Sequence, residues 1–308
     1  MASSLRMLRS SGVMNDNRAM NAWVAGARPR TLPASIVPVV VGTACAVGQR
    51  GGGLVWWRVA AAIVVALALQ IATNYANDYS DGVKGTDDVR VGPIRLVGSG
   101  LKSATSVKLA AFAAFGVAGI AGGALALAVG PELFVVGVAS ILAGWFYTGG
   151  PKPYGYLGLG EVFVFVFFGL VATVGSTYVQ LHRITGLSIV AGAAMGCLSC
   201  ALLVVNNLRD IPGDTAAGKL TLAVRFGDPR TREFYRALIA VAFVLGVLTA
   251  LWRPLGALSI VALPVSLAPI LTVMRGARGK DLIPVLGGTG KLQLAFGLLL
   301  TIGIVISA

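Results

Sequence analysis

Charge is what this chain has least of. Asp, Glu, Lys and Arg make up 12% of its 308 residues, and 56% are hydrophobic, whereas an ordinary soluble domain is about 25% charged. That balance excludes a water-soluble globular protein and predicts an integral membrane protein. Histidine occurs once, as His182, in a short loop expected on the outer side, so histidine acid–base catalysis is excluded. The three cysteines, Cys45, Cys197 and Cys200, all lie in apolar runs, and an odd buried set provides no disulfide framework. The C-x-x-C spacing in "CLSC" reads as small-residue packing between membrane helices. No charged-then-apolar stretch with a small-residue cleavage site precedes the first apolar run near Leu32, so no cleaved signal peptide is expected.

What is abundant is long apolar sequence. Runs able to cross about 30 Å of hydrocarbon lie near residues 32–49, 55–77, 104–129, 132–148, 157–180, 186–206, 235–252, 255–274 and 287–307. They predict an all-α, polytopic membrane protein of about nine transmembrane helices, with residues 1–31 a cytoplasmic tail and 32–308 a single transmembrane domain. An organelle transit peptide is the other reading of the Ser- and Arg-containing start. With the N-terminus in the cytoplasm, 21 of the 25 Lys and Arg residues fall on that side, leaving Arg50, Arg58, Arg183 and Arg253 outside. Such an asymmetry orients a membrane protein, and it explains the net charge of +13 without a nucleic-acid partner. Gly119 to Gly123 and Gly192 to Gly196 have the spacing of close helix packing.

The 12 acidic residues are not spread evenly. "NYANDYSDGVKGTDD", residues 74–88, holds four of them. Asn74, Asn77, Asp78 and Asp81 recur at i, i+3, i+4 and i+7, which puts them on one helix face. About 130 residues later "NNLRDIPGD" repeats the pattern with Asn207, Asp210 and Asp214. Each cluster opens an expected cytoplasmic loop, 78–103 and 207–234, and each is followed by a lysine beside a glycine, Lys84 and Lys219. Four helices separate them, so both face one membrane surface, in two four-helix halves plus a ninth helix. Carboxylates converging there would repel one another unless something positive sat between them. Oxygen ligands of this kind suit Mg²⁺, which bridges carboxylates to substrate phosphates. Lys84, Arg95, Arg209 and Lys219 offer cations for phosphate oxygens that the metal does not hold. Each could also serve only as a topology determinant.

Taken together, "NDYSDGVKGTD" and "NNLRDIPGDTAAGKLTLAVRFG" resemble the two aspartate-rich motifs of the UbiA superfamily of intramembrane aromatic prenyltransferases, and the resemblance spans nearly the whole chain. Within it, "ARPRTLPASIVPVVVGTA", "VGPIRLVGSG" and "YTGGPKPYGYLGLGE" look like the branch that prenylates 1,4-dihydroxy-2-naphthoate in menaquinone synthesis. The resemblance implies one Mg²⁺ held by Asn74, Asn77, Asp78 and Asp81, another by Asn207, Asp210 and Asp214, and a polyprenyl diphosphate bridging them. It implies diphosphate contacts from Lys84, Arg209, Lys219 and Arg95. The first motif departs from its simplest form, since Asp87 follows Asp81 by six positions rather than four.

Several further residues carry two readings. Tyr147 and Tyr154 flank the "GGPKP" turn, where their faces could stabilise a carbocation or belong to an interfacial aromatic belt. Glu161, inside the fifth apolar run, is either an acceptor-binding acid or a structural partner of Lys152, itself a substrate-binding candidate. Arg28 either touches the diphosphate or acceptor, or anchors the first helix. For function as a whole, 4-hydroxybenzoate is the alternative acceptor, and a cation-coupled transporter the alternative class.

Overall fold

The computed structural model describes residues 22–49, 53–85 and 95–308, apart from the side chain of Arg30. Residues 1–21 of the expected tail, Asp87 and Asp88, and the first four residues of "VGPIRLVGSG" lie outside the described residues. Residues 22–27 are helical, so the described part of the expected tail is folded chain that leads into the bundle.

No strand occurs among the described residues, and nine long helical segments follow one another. They are α1 (Pro33–Ala44), α2 (Trp56–Val83), α3 (Ala104–Val129), α4 (Glu132–Phe146), α5 (Gly160–Leu181), α6 (Gly186–Ala216), α7 (Leu222–Leu248), α8 (Pro254–Met274) and α9 (Ile283–Ile306). Seven elements are long and apolar enough to cross a membrane, whereas α1 has 12 residues and α4 has 15. At about 1.5 Å per residue those two reach roughly 18 and 22 Å, short of about 30 Å of hydrocarbon. The nine apolar runs thus appear in order, but two fall short of a full crossing.

Local chemistry explains several boundaries. The Ser103 side chain caps α3 by accepting the Ser106 N–H, Thr185 and Ser188 form a reciprocal capping box on α6, and Thr221 caps α7 through the Val224 N–H. The expected loops at 78–103 and 207–234 are corrected: α2 continues to Val83, α6 to Ala216, and α7 begins at Leu222. A hydropathy limit stops where polar residues begin. The helices continue because those residues find partners in the fold, described below. Gly227, at φ 72°, breaks α7 into a short entry turn and the long helix.

The most extensive helix pairs are α2 with α3 and α6 with α7. Each acid-bearing helix therefore pairs with its successor, matching the two expected halves. In the second half α6, α7 and α9 share a core with α1, including Val41, Leu198, Phe243, Phe296 and Leu300. A smaller core joins α2 and α3 through Ala72, Tyr75, Ala111 and Phe115. Gly192 and Gly196 pack as expected, against Gly169 in the π-helical stretch Phe165–Val171 of α5: a Cβ at Gly169 would lie 2.4 Å from Gly196 Cα. Gly119 and Gly123 do not make such a contact. A Cβ there would meet nothing closer than 3.9 Å, because the space beside them is a cavity.

Candidate active site

The last three turns of α2 carry Asn74, Asn77, Asp78 and Asp81, all buried. Asn74 Nδ2 donates to the Ala27 carbonyl at 3.0 Å, tying α2 to the chain before α1, and Asn77 Oδ1 accepts from Thr148 Oγ1 at 2.7 Å. Asp78, 1% exposed, accepts the backbone N–H groups of Leu96 and Val97 at 2.9 and 3.0 Å, one on each oxygen. Asp81, 3% exposed, gathers side-chain partners from three other segments. Lys219 Nζ lies 2.9 Å from Oδ1 and Arg95 Nη2 3.4 Å from Oδ2, while Tyr156 Oη donates to Oδ1 at 2.9 Å. Removing one partner from a buried ion pair costs about 3–5 kcal/mol, so these contacts are what permits a charged Asp81 at this depth.

The end of α6 supplies the second group. Arg209 binds its neighbour Asp210 in a two-bond fork, Nε to Oδ1 and Nη2 to Oδ2, both at 2.7 Å, and Nη2 also reaches Asn206 Oδ1 at 2.8 Å. Asn207 turns elsewhere: its Nδ2 donates to Glu161 Oε1 at 2.9 Å. Asp214 is half-buried one turn further on. The two groups meet through Lys219 and Asp81, residues 138 apart in sequence. The expectation that both clusters share one end of the bundle is met by that contact.

Between them runs the connection from α4 to α5, residues 147–159. Lys84 Nζ donates to the Thr148 carbonyl at 2.9 Å, and the Leu220 N–H donates to the Tyr156 carbonyl at 3.0 Å, so this strap touches the ends of both α2 and α6. Partial burial lowers the proton affinity of Lys84, Asp81 opposes that, and Lys219 adds to it. Burial, aided by Glu161, pushes the Tyr147 hydroxyl well up, and burial alone raises Tyr154. Both phenols therefore stay protonated and neutral.

A cavity of about 430 Å³ leads away from these groups. Its polar end includes Arg28, Thr31, Gln70, Asn74, Asn77 and Asn206, and the rest is mainly apolar, with a few Ser and Thr side chains such as Thr73 and Ser176. Lining residues on α2 run from Asn77 back to Ala62, about 22 Å of helix. Tyr147 and Tyr154 form part of the wall, with ring centroids 5.5 Å apart, and Tyr154 stacks on Phe163 at 3.8 Å. Arg28, in a left-handed conformation at φ 54°, also lines the cavity, and its buried Nη2 has no hydrogen-bond partner. An unpaired buried guanidinium nitrogen is costly, and an anion in the cavity would relieve that cost.

The site thus gathers Asp81, Arg95, Lys219 and Lys84, with Asp78 directly behind them. Glu161 is buried against Asn207 and forms no ion pair with Lys152, which stands exposed on the strap, so the second of its two readings does not hold. Glu161 sits on a helix face turned towards α6, while the "GGPKP" turn projects Lys152 away. Asn206 rather than Asn207 lines the cavity and meets Arg209. Sequence reasoning missed Asn206, Thr148 and Tyr156. Asn206 precedes a residue that fits the i, i+3, i+7 pattern better, and the other two lie on a strap with no periodic signal. Among the described residues no three Asp, Glu, His or Cys side chains form a ready-made metal cluster. The donor set nevertheless fits a hard divalent cation: carboxylates and amides on two helices, two of the acids already facing positive charge, with Asp81 against Lys219 and Arg95 and Asp210 against Arg209.

Known proteins share the family and the fold. Residues 35–302 match the UbiA prenyltransferase family. A 1,4-dihydroxy-2-naphthoate octaprenyltransferase of Mycobacterium tuberculosis is 51% identical over 276 residues, covering 90% of this chain and 94% of that protein. Its namesake in Escherichia coli is 36% identical, covering 93% and 96%. Among solved structures, a UbiA homolog from Archaeoglobus fulgidus bound to GPP and Mg²⁺ superposes with a TM-score of 0.65 at 15% identity, over 91% of this chain and 99% of that one. At that identity the likeness speaks for the fold alone, but the family match covers most of the chain and the relatives extend it. This chain, a multi-pass membrane enzyme, belongs to the UbiA prenyltransferase family.

Proposed function

We propose that this prenyltransferase moves a polyprenyl group from a polyprenyl diphosphate onto 1,4-dihydroxy-2-naphthoate, with loss of CO₂, to give demethylmenaquinol and diphosphate. The observation that carries the reading is the meeting of the two acid-bearing helix ends, through Lys219 and Asp81 at 2.9 Å, beside a cavity that is polar at that end and apolar beyond it. A diphosphate and its lipid tail need those two environments side by side. The identity of 51% to a relative named for this reaction supports the choice of acceptor.

Asn74, Asn77, Asp78 and Asp81 on α2, with Asn207, Asp210 and Asp214 on α6, are the residues assigned to hold Mg²⁺. Bound there, Mg²⁺ would offset the charge that the diphosphate gains as the allylic C–O bond breaks. Lys84, Arg95, Arg209 and Lys219 are assigned to phosphate oxygens outside the metals. The Tyr147 and Tyr154 faces border the path of the electron-poor prenyl carbon, and the apolar wall keeps water from intercepting it. Arg28 is assigned to the acceptor carboxylate, since its spare guanidinium nitrogen already lines the cavity. The ring carbon bearing that carboxylate attacks the prenyl carbon with a π electron pair of the ring. The electron pair of the allylic C–O bond leaves with the diphosphate, a new C–C bond forms, and the pair from the bond to the carboxyl carbon restores the aromatic ring as CO₂ departs. No base is needed to remove a ring proton. The active-site end is placed on the cytoplasmic side, following the excess of Lys and Arg there.

The test is incubation of purified protein with carboxyl-labelled naphthoate, a polyprenyl diphosphate and Mg²⁺. Label should leave as CO₂ in step with demethylmenaquinol formation. Label retained in a prenylated product, or turnover only with 4-hydroxybenzoate, would sink the acceptor assignment.

A further inference from the structure

We propose that Tyr156 is a positioning residue that gathers the two lysines of the diphosphate site. The inference rests on the function proposed above and adds a residue to that site. Tyr156 stands in the 3₁₀ turn Tyr154–Leu157 of the strap, on neither acid-bearing helix. Its ring centroid is 4.7 Å from Lys84 Nζ and 4.7 Å from Lys219 Nζ. Lys84 caps the end of α2 and Lys219 follows the end of α6, so a single aromatic ring collects one ammonium from each half of the molecule.

Two ammonium groups repel; Asp81 on α2 draws Lys219 in at 2.9 Å, and the ring adds an attraction that acts on both lysines at once. The negative face of an aromatic ring attracts each cation without using up its N–H groups. An ammonium has three donors: Lys84 gives one to the Thr148 carbonyl and Lys219 one to Asp81. The remaining donors are what phosphate oxygens would accept. The ring is itself held at two points, with Tyr156 Oη donating to Asp81 and its carbonyl accepting the Leu220 N–H. A ring fixed to both halves keeps the cationic pair converged before the diphosphate arrives, which lowers the ordering cost of binding it.

The experiment compares Tyr156→Leu and Tyr156→Phe with wild-type protein, purified at full length in detergent. The readouts are donor KM, acceptor KM, kcat, the inhibition constant of inorganic diphosphate, and the midpoint of thermal unfolding. Tyr156→Leu should raise donor KM and the inorganic diphosphate constant about tenfold each, the scale of a lost pair of cation–π contacts, with acceptor KM unchanged. Tyr156→Phe retains the ring and should restore most of the donor affinity. Should the leucine variant fail to purify, Tyr156→Met replaces it, with the same expectation. Wild-type donor KM in the aliphatic variants, equal loss in the phenylalanine and aliphatic variants, or acceptor and donor KM rising together would overturn the proposal. If wild-type protein binds inorganic diphosphate in a direct binding measurement but transfers no prenyl group, and Tyr156→Leu binds it more weakly, the proposed function is refuted and this inference stands.

Discussion

Asp78 and Asp81 lie three residues apart on one face of α2, yet their carboxylates meet different partners. Asp78 receives two backbone N–H groups from residues 96 and 97, whereas Asp81 receives side-chain cations from Arg95 and Lys219. Substituting asparagine removes the charge from both with little change of shape, so the two variants separate the roles. Asp78→Asn places an amide NH₂ against a backbone N–H and leaves that donor unsatisfied, a cost of about 1–3 kcal/mol. It should lower the unfolding midpoint and loosen the chain around Leu96, read by hydrogen exchange, as well as activity. Asp81→Asn should leave insertion and purification normal while turnover falls at least about hundredfold, the scale of losing one preorganised charge at a reacting centre. Turnover near wild type in Asp81→Asn would move the metal site elsewhere. The shared face of these acids was legible from spacing alone. Which partners each of them meets was not, because Leu96, Val97 and Lys219 are brought there by other elements.

At the scale of elements, the informative helix is α5. Its π-helical stretch Phe165–Val171 places Gly169 against α6, and its next turn sets the Thr173 carbonyl where a Cβ on Gly42 of α1 would approach to 2.0 Å. Both neighbours are backbone atoms, which cannot swing aside as a side chain would. Gly169→Ala should therefore cost about 1–3 kcal/mol by overpacking, read as a lower unfolding midpoint in detergent. Gly119→Ala serves as the contrast: its Cβ would meet Ile141 Cδ1 at 3.9 Å, and stability should stay within about 0.5 kcal/mol of wild type. A result with the two reversed would contradict the packing. The two glycine pairs look alike in sequence. One supports helix contact and the other leaves room for the cavity, a difference that depends on what stands opposite.

Of the 25 Lys and Arg residues, 21 fall on the expected cytoplasmic side of the sequence. If the proposed orientation holds, single cysteines at Lys152 and Thr215, both exposed, should be labelled by an impermeant maleimide from the cytoplasmic side. A cysteine at the exposed Arg183 should be labelled only from the other side. The native Cys45, Cys197 and Cys200 are buried, so background labelling should be low. Opposite accessibility of residues 152 and 215 would contradict a shared surface for the two halves.

The sequence by itself determined the membrane class, the order of the nine apolar helices and the two acidic faces, because each follows from hydropathy or from residue spacing within one helix. It also pointed to the cations following those faces. The tertiary structure decided where the helices end, since the polar last turns of α2 meet Thr148, Leu96, Val97 and Lys219, and Asn207 near the end of α6 meets Glu161. It decided that Glu161 meets Asn207 instead of Lys152, and that Tyr156 joins the two lysines. These contacts run between segments far apart in the chain. Periodicity reports only which residues share an element, and the energy of a buried charge depends on which other element lies against it.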